Sequence, residues 1–278
     1  MQAKAIACER PTERGEALGR YSLGDIVLIM KQEGIVTHIS RSTLWRWYRE
    51  AALRPWRYHH WLFPRDPQFV EKASVVLDLY HGWWQGEPLG SDDYVICADE
   101  KSQLQILSRR HPTRPPRPGR PGQVEFEYTR LGTLTYQAAL NVQTGQVIGQ
   151  IVERNEIATF NRLIDRVMDQ PPYNTARRVF WIVDNGSSHH PATFPVRLTA
   201  AHEHAIAVML PTHASWLNQI ELYFSILERK ALTPRDFSDA NQMSTRILSF
   251  ELQFSAQARP FNWHYSTTDM LNRMKSLT

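Results

Sequence analysis

Two short runs of β-branched and aromatic residues, each ending in an aspartate, constrain this chain more than anything else in it. Val95-Ile96-Cys97-Ala98 leads into Asp99, and Val179-Phe180-Trp181-Ile182-Val183 leads into Asp184. Such runs are the pattern of strands buried on both faces. A carboxylate just past a strand of this kind lies at the carboxyl end of a sheet, where open α/β folds hold their ligands. A third acid stands in a helical context. Leu217, Ile220, Phe224 and Leu227 recur at helical spacing and should face a core. Glu221 borders that face, where an ionised carboxylate is costly unless a cation or donors satisfy it. Three carboxylates drawn together suit a hard divalent cation. Taken singly, either aspartate reads better as a turn former or helix cap. Glu221 alone reads equally well as a glutamate reaching out to water. The inference rests on all three with their flanks.

The flanks carry a family likeness. Val183-Asp184-Asn185-Gly186-Ser187-Ser188-His189 resembles the second-aspartate motif of the IS630-type DDE transposases, relatives of the Tc1/mariner elements. Pro211-Thr212-His213-Ala214-Ser215-Trp216-Leu217-Asn218-Gln219-Ile220-Glu221 resembles their third-carboxylate motif, and Ala98-Asp99-Glu100-Lys101 the first. The segment from Pro118 to Gly122, Phe126-Glu127-Tyr128, Gly132-Thr133-Leu134 and Thr144 to Val147 match as well. The likeness covers most of residues 22 to 270, and its third motif is long and specific. The interval from Asp184 to Glu221 is close to what these proteins show.

The resemblance implies a fold and a chemistry. The fold is α/β: an RNase H-like mixed sheet with flanking helices, preceded by an all-α helix-turn-helix domain. The chemistry is phosphodiester cleavage at element ends and strand transfer into TA targets. Magnesium would be the metal, with manganese able to substitute. Asp99 is then the bridging ligand, Asp184 a ligand to one ion, and Glu221 a ligand to the other and a candidate proton acceptor. Two such ions would activate a nucleophile and stabilise the leaving oxygen of an in-line displacement. His189 matches the family's histidine and stands ready to orient a phosphate or a ligand; a turn histidine bonded to backbone is the competing role. Asn185 and Asn218 are candidates to support the ligands. Glu100 is a decoy on this reading, because neighbours on a strand point to opposite faces. Trp216 is expected to anchor a helix start by packing rather than to stack on a base.

Charge points the same way. Net charge is only +4, but the pI is about 9.1 and the basic residues cluster. Residues 1–20 are polar and unpatterned, a loose tail. Residues 21–62 read as helix-turn-helix. Ser22 can cap a first helix carrying Leu23, Ile26, Val27 and Met30, and Gly34 fits its stop. Ser40 or Ser42 can cap a second helix with Leu44, Trp47, Tyr48 and Ala51 inward. From there to residue 57 lie Arg41, Arg46, Arg49, Arg54 and Arg57 against the single acid Glu50, a balance suited to DNA phosphates. Residues 63–90 read as a linker with a helix at 68–84, and 91–278 as the catalytic domain. There, strands are expected at 94–99, 134–142, 146–153, 178–184 and 205–210, with helices at 157–169, 192–203 and 215–231. The insertion at 109–122 holds Arg109, Arg110, Arg114, Arg117 and Arg120 with five prolines and no acid. It tends to polyproline II and reads as an arm reaching DNA or a second subunit, as the corresponding insertion does in the relatives.

The rest excludes alternatives. Cys8 and Cys97 cannot make a disulfide framework, and the histidines show no tight pairing with cysteine for a structural zinc site. Neither a long apolar stretch nor a signal peptide is present, so a cytoplasmic, nucleoid-associated protein is expected. Its partner is double-stranded DNA, bound as a homodimer, with no membrane. The competing readings are a non-catalytic repressor of a mobile element and a non-transposing nuclease of the same fold. The first draws on the start of the chain, which comes too late to hold the family's further N-terminal helix-turn-helix whole.

Overall fold

The computed structural model describes residues 2–57 and 64–275, so the expected domain boundary near residue 62 lies outside the described residues. The chain forms two compact units that divide between residues 63 and 64. Among the described residues no helix is long and apolar enough to cross a membrane.

The first unit holds α1 (Gln2–Cys8), α2 (Leu23–Gln32) and α3 (Arg41–Glu50). Ser22 caps α2 by accepting from the Asp25 amide, and Asp25 accepts from the Ser22 amide at 2.7 Å. Gly34, with φ of +67°, turns the chain after α2. Ile26, Ile29, Met30, Leu44 and Tyr48 form the core. Two expectations change here. The first twenty residues are not a loose tail: Ala3 and Ile6 of α1 join that core, and the buried Tyr48 hydroxyl donates to the Ala3 carbonyl at 2.6 Å. The inward stripe of α1 is too short to register as a pattern. Trp47 also faces outward, 41% exposed, as does Trp45 at 42%. Only Leu44 and Tyr48, one helical turn apart, point inward on α3.

The second unit is built on one sheet. It begins with α4 (Phe69–Tyr80) and a short hairpin, β1 (Trp83–Trp84) and β2 (Glu87–Pro88). Then come β3 (Asp93–Ser108), β4 (Thr129–Asn141), β5 (Val147–Val152), α5 (Ile157–Met168), β6 (Arg178–Val183), α6 (Phe194–Ala201) and β7 (Ala205–Met209). It closes with α7 (Ile220–Leu227), α8 (Ala240–Ala256) and α9 (Thr267–Lys275). The sheet order is β5-β4-β3-β6-β7, antiparallel from β5 to β3 and parallel from β3 to β7. Alternation along the strands divides the core. Val95, Cys97, Phe180 and Ile182 face α4, α7 and α8, whereas Ile96, Ala98, Trp181 and Val183 face α5 and α6.

Several boundaries move. The expected linker helix is part of this core: Phe69, Ala73, Val76 and Leu77 of α4 are buried in it, and the hairpin replaces its last turn. β3 runs on to Ser108, pairing with β4 across an irregularity after Lys101, so the strand extends well beyond Asp99. The helix expected at 215–231 is a 3-10 turn (Ser215–Leu217), then α7, then a π turn (Glu228–Leu232). α8 and α9 lie beyond the elements expected from sequence. In the insertion, Arg117 and Arg120 exchange backbone bonds around Pro118-Gly119, where Gly119 has φ of +73°. The arm therefore pairs with itself instead of running as an extended polyproline segment.

Asp93 fixes the start of β3. Its carboxylate is wholly buried and accepts from Arg177, from Arg178 at 2.7 and 3.0 Å, and from the Gly90 amide at 2.8 Å. The Arg178 contact, then that of Arg177, holds its pKa far below the usual carboxylate range despite burial. A depressed carboxyl contributes stability above its unfolded pKa and loses it as pH falls toward the folded value. Asp93→Asn should therefore destabilise the protein at pH 6 by about 2 kcal/mol, below the range for a fully buried pair because the arginines are partly solvated. The gap to wild type should narrow as urea titrations move from pH 5 to pH 2; a constant gap would show that the Asp93 charge does not stabilise.

Candidate active site

The pairing of β3 with β6 ends at Cys97 opposite Ile182. Beyond it, among the described residues, no strand pairs with the β6 side of β3, where Asp99 and Glu100 follow, while Asp184 lies one residue past β6. Asp99 is buried; it accepts from the Glu100 amide at 2.8 Å and from Asn218 Nδ2 at 3.4 Å. Burial first, then the negative charges of Asp184 and Glu100, push its pKa well above the ordinary value. Asp184 is half-buried, and its Oδ1 accepts from the Gly186 amide at 2.7 Å. Glu221 stands in the first turn of α7 and is the most open of the three, not embedded at the apolar border as its spacing suggests. Its pKa is raised by partial burial of the carboxyl, against the pull of Lys101 and with repulsion from Asp184 and Glu100. Asp184 and Glu100 thus act electrostatically on both Asp99 and Glu221.

Glu100 is no bystander. Ligand atoms of Asp99, Glu100 and His189 all lie within 4.8 Å of one another. Strand alternation does send Glu100 toward the α5 side, but with β6 ended, nothing in the sheet separates the two faces there. His189, expected as a support, is fully buried: Nδ1 is 2.9 Å from the Asp184 carbonyl and 3.1 Å from Asp184 Oδ1, and Nε2 is 3.3 Å from Glu100 Oε2. Burial opposes its protonated form, but Glu100 and Asp184 outweigh this and raise its pKa. Gly186 permits the approach, because a Cβ there would sit 2.7 Å from His189 Cε1 and 3.0 Å from Asp184 Oδ1. Asn185 Nδ2 donates to the Leu210 carbonyl at 3.0 Å and ties the ends of β6 and β7 together.

The segment carrying Glu221 is held at three points. Asp66 accepts from the Thr212 amide at 2.9 Å and from Lys72, which lowers its pKa to about 2. Tyr80 of α4 donates to the Leu217 carbonyl at 2.6 Å and accepts from the Gln219 amide at 3.4 Å. Asn218 donates to the Ala98 carbonyl and to Asp99. Trp216 packs edge-on against Tyr265 yet stays 40% exposed, so it anchors the turn only in part. No sequence pattern marks Asp66 or Tyr80 for this role; both lie over a hundred residues from the segment they hold. Among the described residues, the buried Asn218 Oδ1 has no donor. The buried Asp99 carboxylate, with the carboxylates of Glu100 and Asp184 close enough to raise its pKa, supplies the oxygen donors that a hard divalent cation takes, and these residues fit one.

The expected DNA-contacting arginines divide. Arg46, Arg49, Arg54 and Arg57 are exposed; Arg49 lies over the Trp45 ring at 5.3 Å. With Trp45, Leu53 and Trp56, Arg49, Arg54 and Arg57 line a cleft of about 450 Å³. Arg41 leans back against Gly24 at the start of α2, near Asp25. Arg110, Arg114, Arg117 and Arg120 are exposed on the arm. Arg109 is a staple instead: it donates to the carbonyls of Glu125, Phe126 and Arg235 and lies over the Tyr128 ring.

A family model described as DDE superfamily endonuclease matches residues 94–244, more than half of the chain. Among solved structures, the chain is similar to a mariner Mos1 paired end complex with Mg, at 12% identity and a TM-score of 0.55, covering 99% of this chain and 77% of that one. It is also similar to a Mos1 mariner paired end complex with Mn, at 13% identity and a TM-score of 0.52, covering 94% and 77%. A pre-cleavage Mos1 transpososome matches at 13% identity and a TM-score of 0.51, again covering 94% and 77%. No curated protein sequence matches. At these identities the likeness carries the fold, and that fold is the RNase H-like one.

Removing the Tyr80 hydroxyl tests how the third segment is held. Tyr80→Phe leaves the buried Leu217 carbonyl and Gln219 amide without their partner, which costs about 1–3 kcal/mol. Urea denaturation should report that loss; an unchanged midpoint would mean the segment holds without α4.

Proposed function

This chain belongs to the DDE superfamily of endonucleases, and we propose that it is a DNA transposase that cuts donor DNA at element ends and joins the freed 3′-hydroxyl to target DNA. One observation supports the reading: Asp99, partway along β3 where its pairing with β6 has ended, and Asp184, just past β6, are near enough for Asp184 to raise the pKa of Asp99, and Asp184 acts in the same way on Glu221 at the start of α7. Asp99, Asp184 and Glu221 are the residues that would hold magnesium, or manganese in its place. When bound, such ions polarise the phosphoryl oxygens and activate the attacking water or 3′-hydroxyl. The chain's own residues supply the rest. Asp99, buried and bonded to Asn218, is the most rigidly held of the three and suits the central ligand position. Glu221, open to solvent with a raised pKa, can accept the proton of an entering nucleophile. Gly186 and His189 keep Asp184 turned into the site.

DNA is the partner this chemistry needs. The exposed arginines of α3 and its tail, with those of the arm, supply cations for double-stranded DNA. Two copies of the chain on two element ends would give the homodimer that joins them. A repressor without catalysis would bind the same DNA but not cut it. End-labelled DNA carrying the ends of the element that encodes this protein, incubated with magnesium or manganese, separates the two. Metal-dependent nicks at the element boundary are expected, and binding without any nick would leave only the repressor.

Asp184→Asn removes one charge and keeps nearly the same shape, and its Oδ1 can still accept from Gly186. Stability should stay near wild type, DNA binding should hold or improve without metal, and nicking should fall by several orders of magnitude. Nicking at the wild-type rate would make Asp184 a turn residue and sink the active-site assignment. Binding is tested separately. Alanine at Arg46, Arg49 and Arg54 should flatten the salt dependence of DNA affinity by about one unit for each phosphate that is no longer neutralised. Unchanged slope and affinity would rule this helix out as the reader. Arg109→Ala should act on stability instead, since its guanidinium is bonded to backbone carbonyls.

A further inference from the structure

We propose that Glu100 is a positioning residue that acts through His189 on Asp184, setting the cation affinity of the site. The inference rests on the transposase reading above and adds a residue outside the three carboxylates. Glu100 is the immediate neighbour of Asp99, and its side chain leaves β3 toward the opposite face. There it meets the fully buried His189, whose Nε2 is 3.3 Å from Glu100 Oε2. The other nitrogen of the same ring is 3.1 Å from Asp184 Oδ1 and 2.9 Å from the Asp184 carbonyl. One ring therefore spans two strands: it touches Glu100, the residue after Asp99 on β3, and Asp184, the acid that follows β6.

The ring has little freedom. Phe160 packs on it with centroids 4.8 Å apart, and Phe194 meets it edge-on at 6.3 Å. Gly186 closes the third side, where even a methyl group would collide with Cε1. The Ser188 carbonyl beside it is held by Arg197 at 2.8 Å, and the Ser188 hydroxyl accepts from Asn155 at 3.3 Å. Clamped this way, the ring presents one nitrogen to Glu100 and the other to Asp184 at once. Glu100 thus selects the ring orientation that turns the Asp184 carboxylate toward Asp99. Partners that orient a ligand in this way commonly change metal affinity or activity by roughly 10–100-fold when removed. The competing role, Glu100 as a direct ligand, predicts independent effects instead of shared ones.

A double-mutant cycle decides between them. The full chain, Glu100→Gln, His189→Gln and the double variant are compared for Mn²⁺ affinity by calorimetry without DNA, for nicking with DNA, and for thermal unfolding. Each single variant should weaken Mn²⁺ binding by about tenfold or more and slow nicking in parallel. DNA affinity without metal should hold or improve, as for Asp184→Asn, and the double variant should bind Mn²⁺ no worse than the more affected single one. Glu100→Gln is isosteric and partly exposed; if His189→Gln does not fold, Gly186→Ala, which displaces the ring but keeps it, takes its place in the cycle. Wild-type Mn²⁺ affinity in Glu100→Gln would overturn the proposal, and so would effects that multiply in the double variant. If the wild type binds Mn²⁺ but never nicks DNA, the transposase reading fails, while the cycle on Mn²⁺ affinity still tests the brace.

Discussion

Mutual repulsion among carboxylates is the constraint on which the rest of this site depends. Two unit charges 4 Å apart repel by about 4 kcal/mol at an effective dielectric near 20. Asp99, Glu100 and Asp184 crowd one strand edge, with Glu221 near enough to feel two of them. Left alone, such a group would splay apart or take up protons. The raised pKa of Asp99 is the second response, and the surrounding structure prevents the first. Asn218 binds Asp99, Gly186 binds Asp184, and His189 bridges Asp184 and Glu100. Farther out, Asp66 and Tyr80 hold the segment that carries Glu221. Asp99 is held from the segment before α7, while Asp184 and Glu100 are both held from the turn after β6, and a cation bound there would relieve the repulsion that remains.

That division explains what is legible in the sequence. Asp99 and Asp184 can be placed because the runs before them are buried on both faces, and burial leaves a mark on every residue of a strand. The order of strands and helices from residue 134 to 210 follows from the same signal. Glu221 is marked by its motif, but its spacing misleads about its surroundings: an acid in the first turn of a helix can open to solvent even beside an apolar stripe. Strand alternation sets Glu100 aside, by a rule that assumes a partner strand on each side. β6 ends before Asp99, and no local pattern announces where a neighbouring strand stops.

What stays illegible is contact at long range. α4 reads as a linker because its apolar residues do not say which surface they meet; they meet the α7 face of the sheet. α1 reads as a tail because two buried residues are too few to make a periodicity. Arg109 reads as a DNA ligand by composition, since five arginines in one segment look alike. Only the fold shows that one of them lies among backbone carbonyls at the base of the arm. Charge counts locate a basic segment well, but they cannot tell the residues that build it from those it offers.

The sheet separates stability from chemistry along its length. Asp93, between Arg177 and Arg178, locks the beginning of β3 with its charges matched. On the α7 and α8 side, Tyr136 donates to the buried Glu251 at 2.6 Å and meets the Tyr223 hydroxyl at 3.2 Å. On the other side, Gln137 links Gln150, Asn155 and Thr159 behind the His189 turn. These networks satisfy their buried polar groups within the protein, and none needs an ion. Six residues farther along β3, past the last pair with β6, Asn218 keeps an unsatisfied amide oxygen and like charges crowd together among the described residues. Strain of that kind persists only where the surrounding fold holds it in place, and it falls where the cation and the phosphodiester would enter.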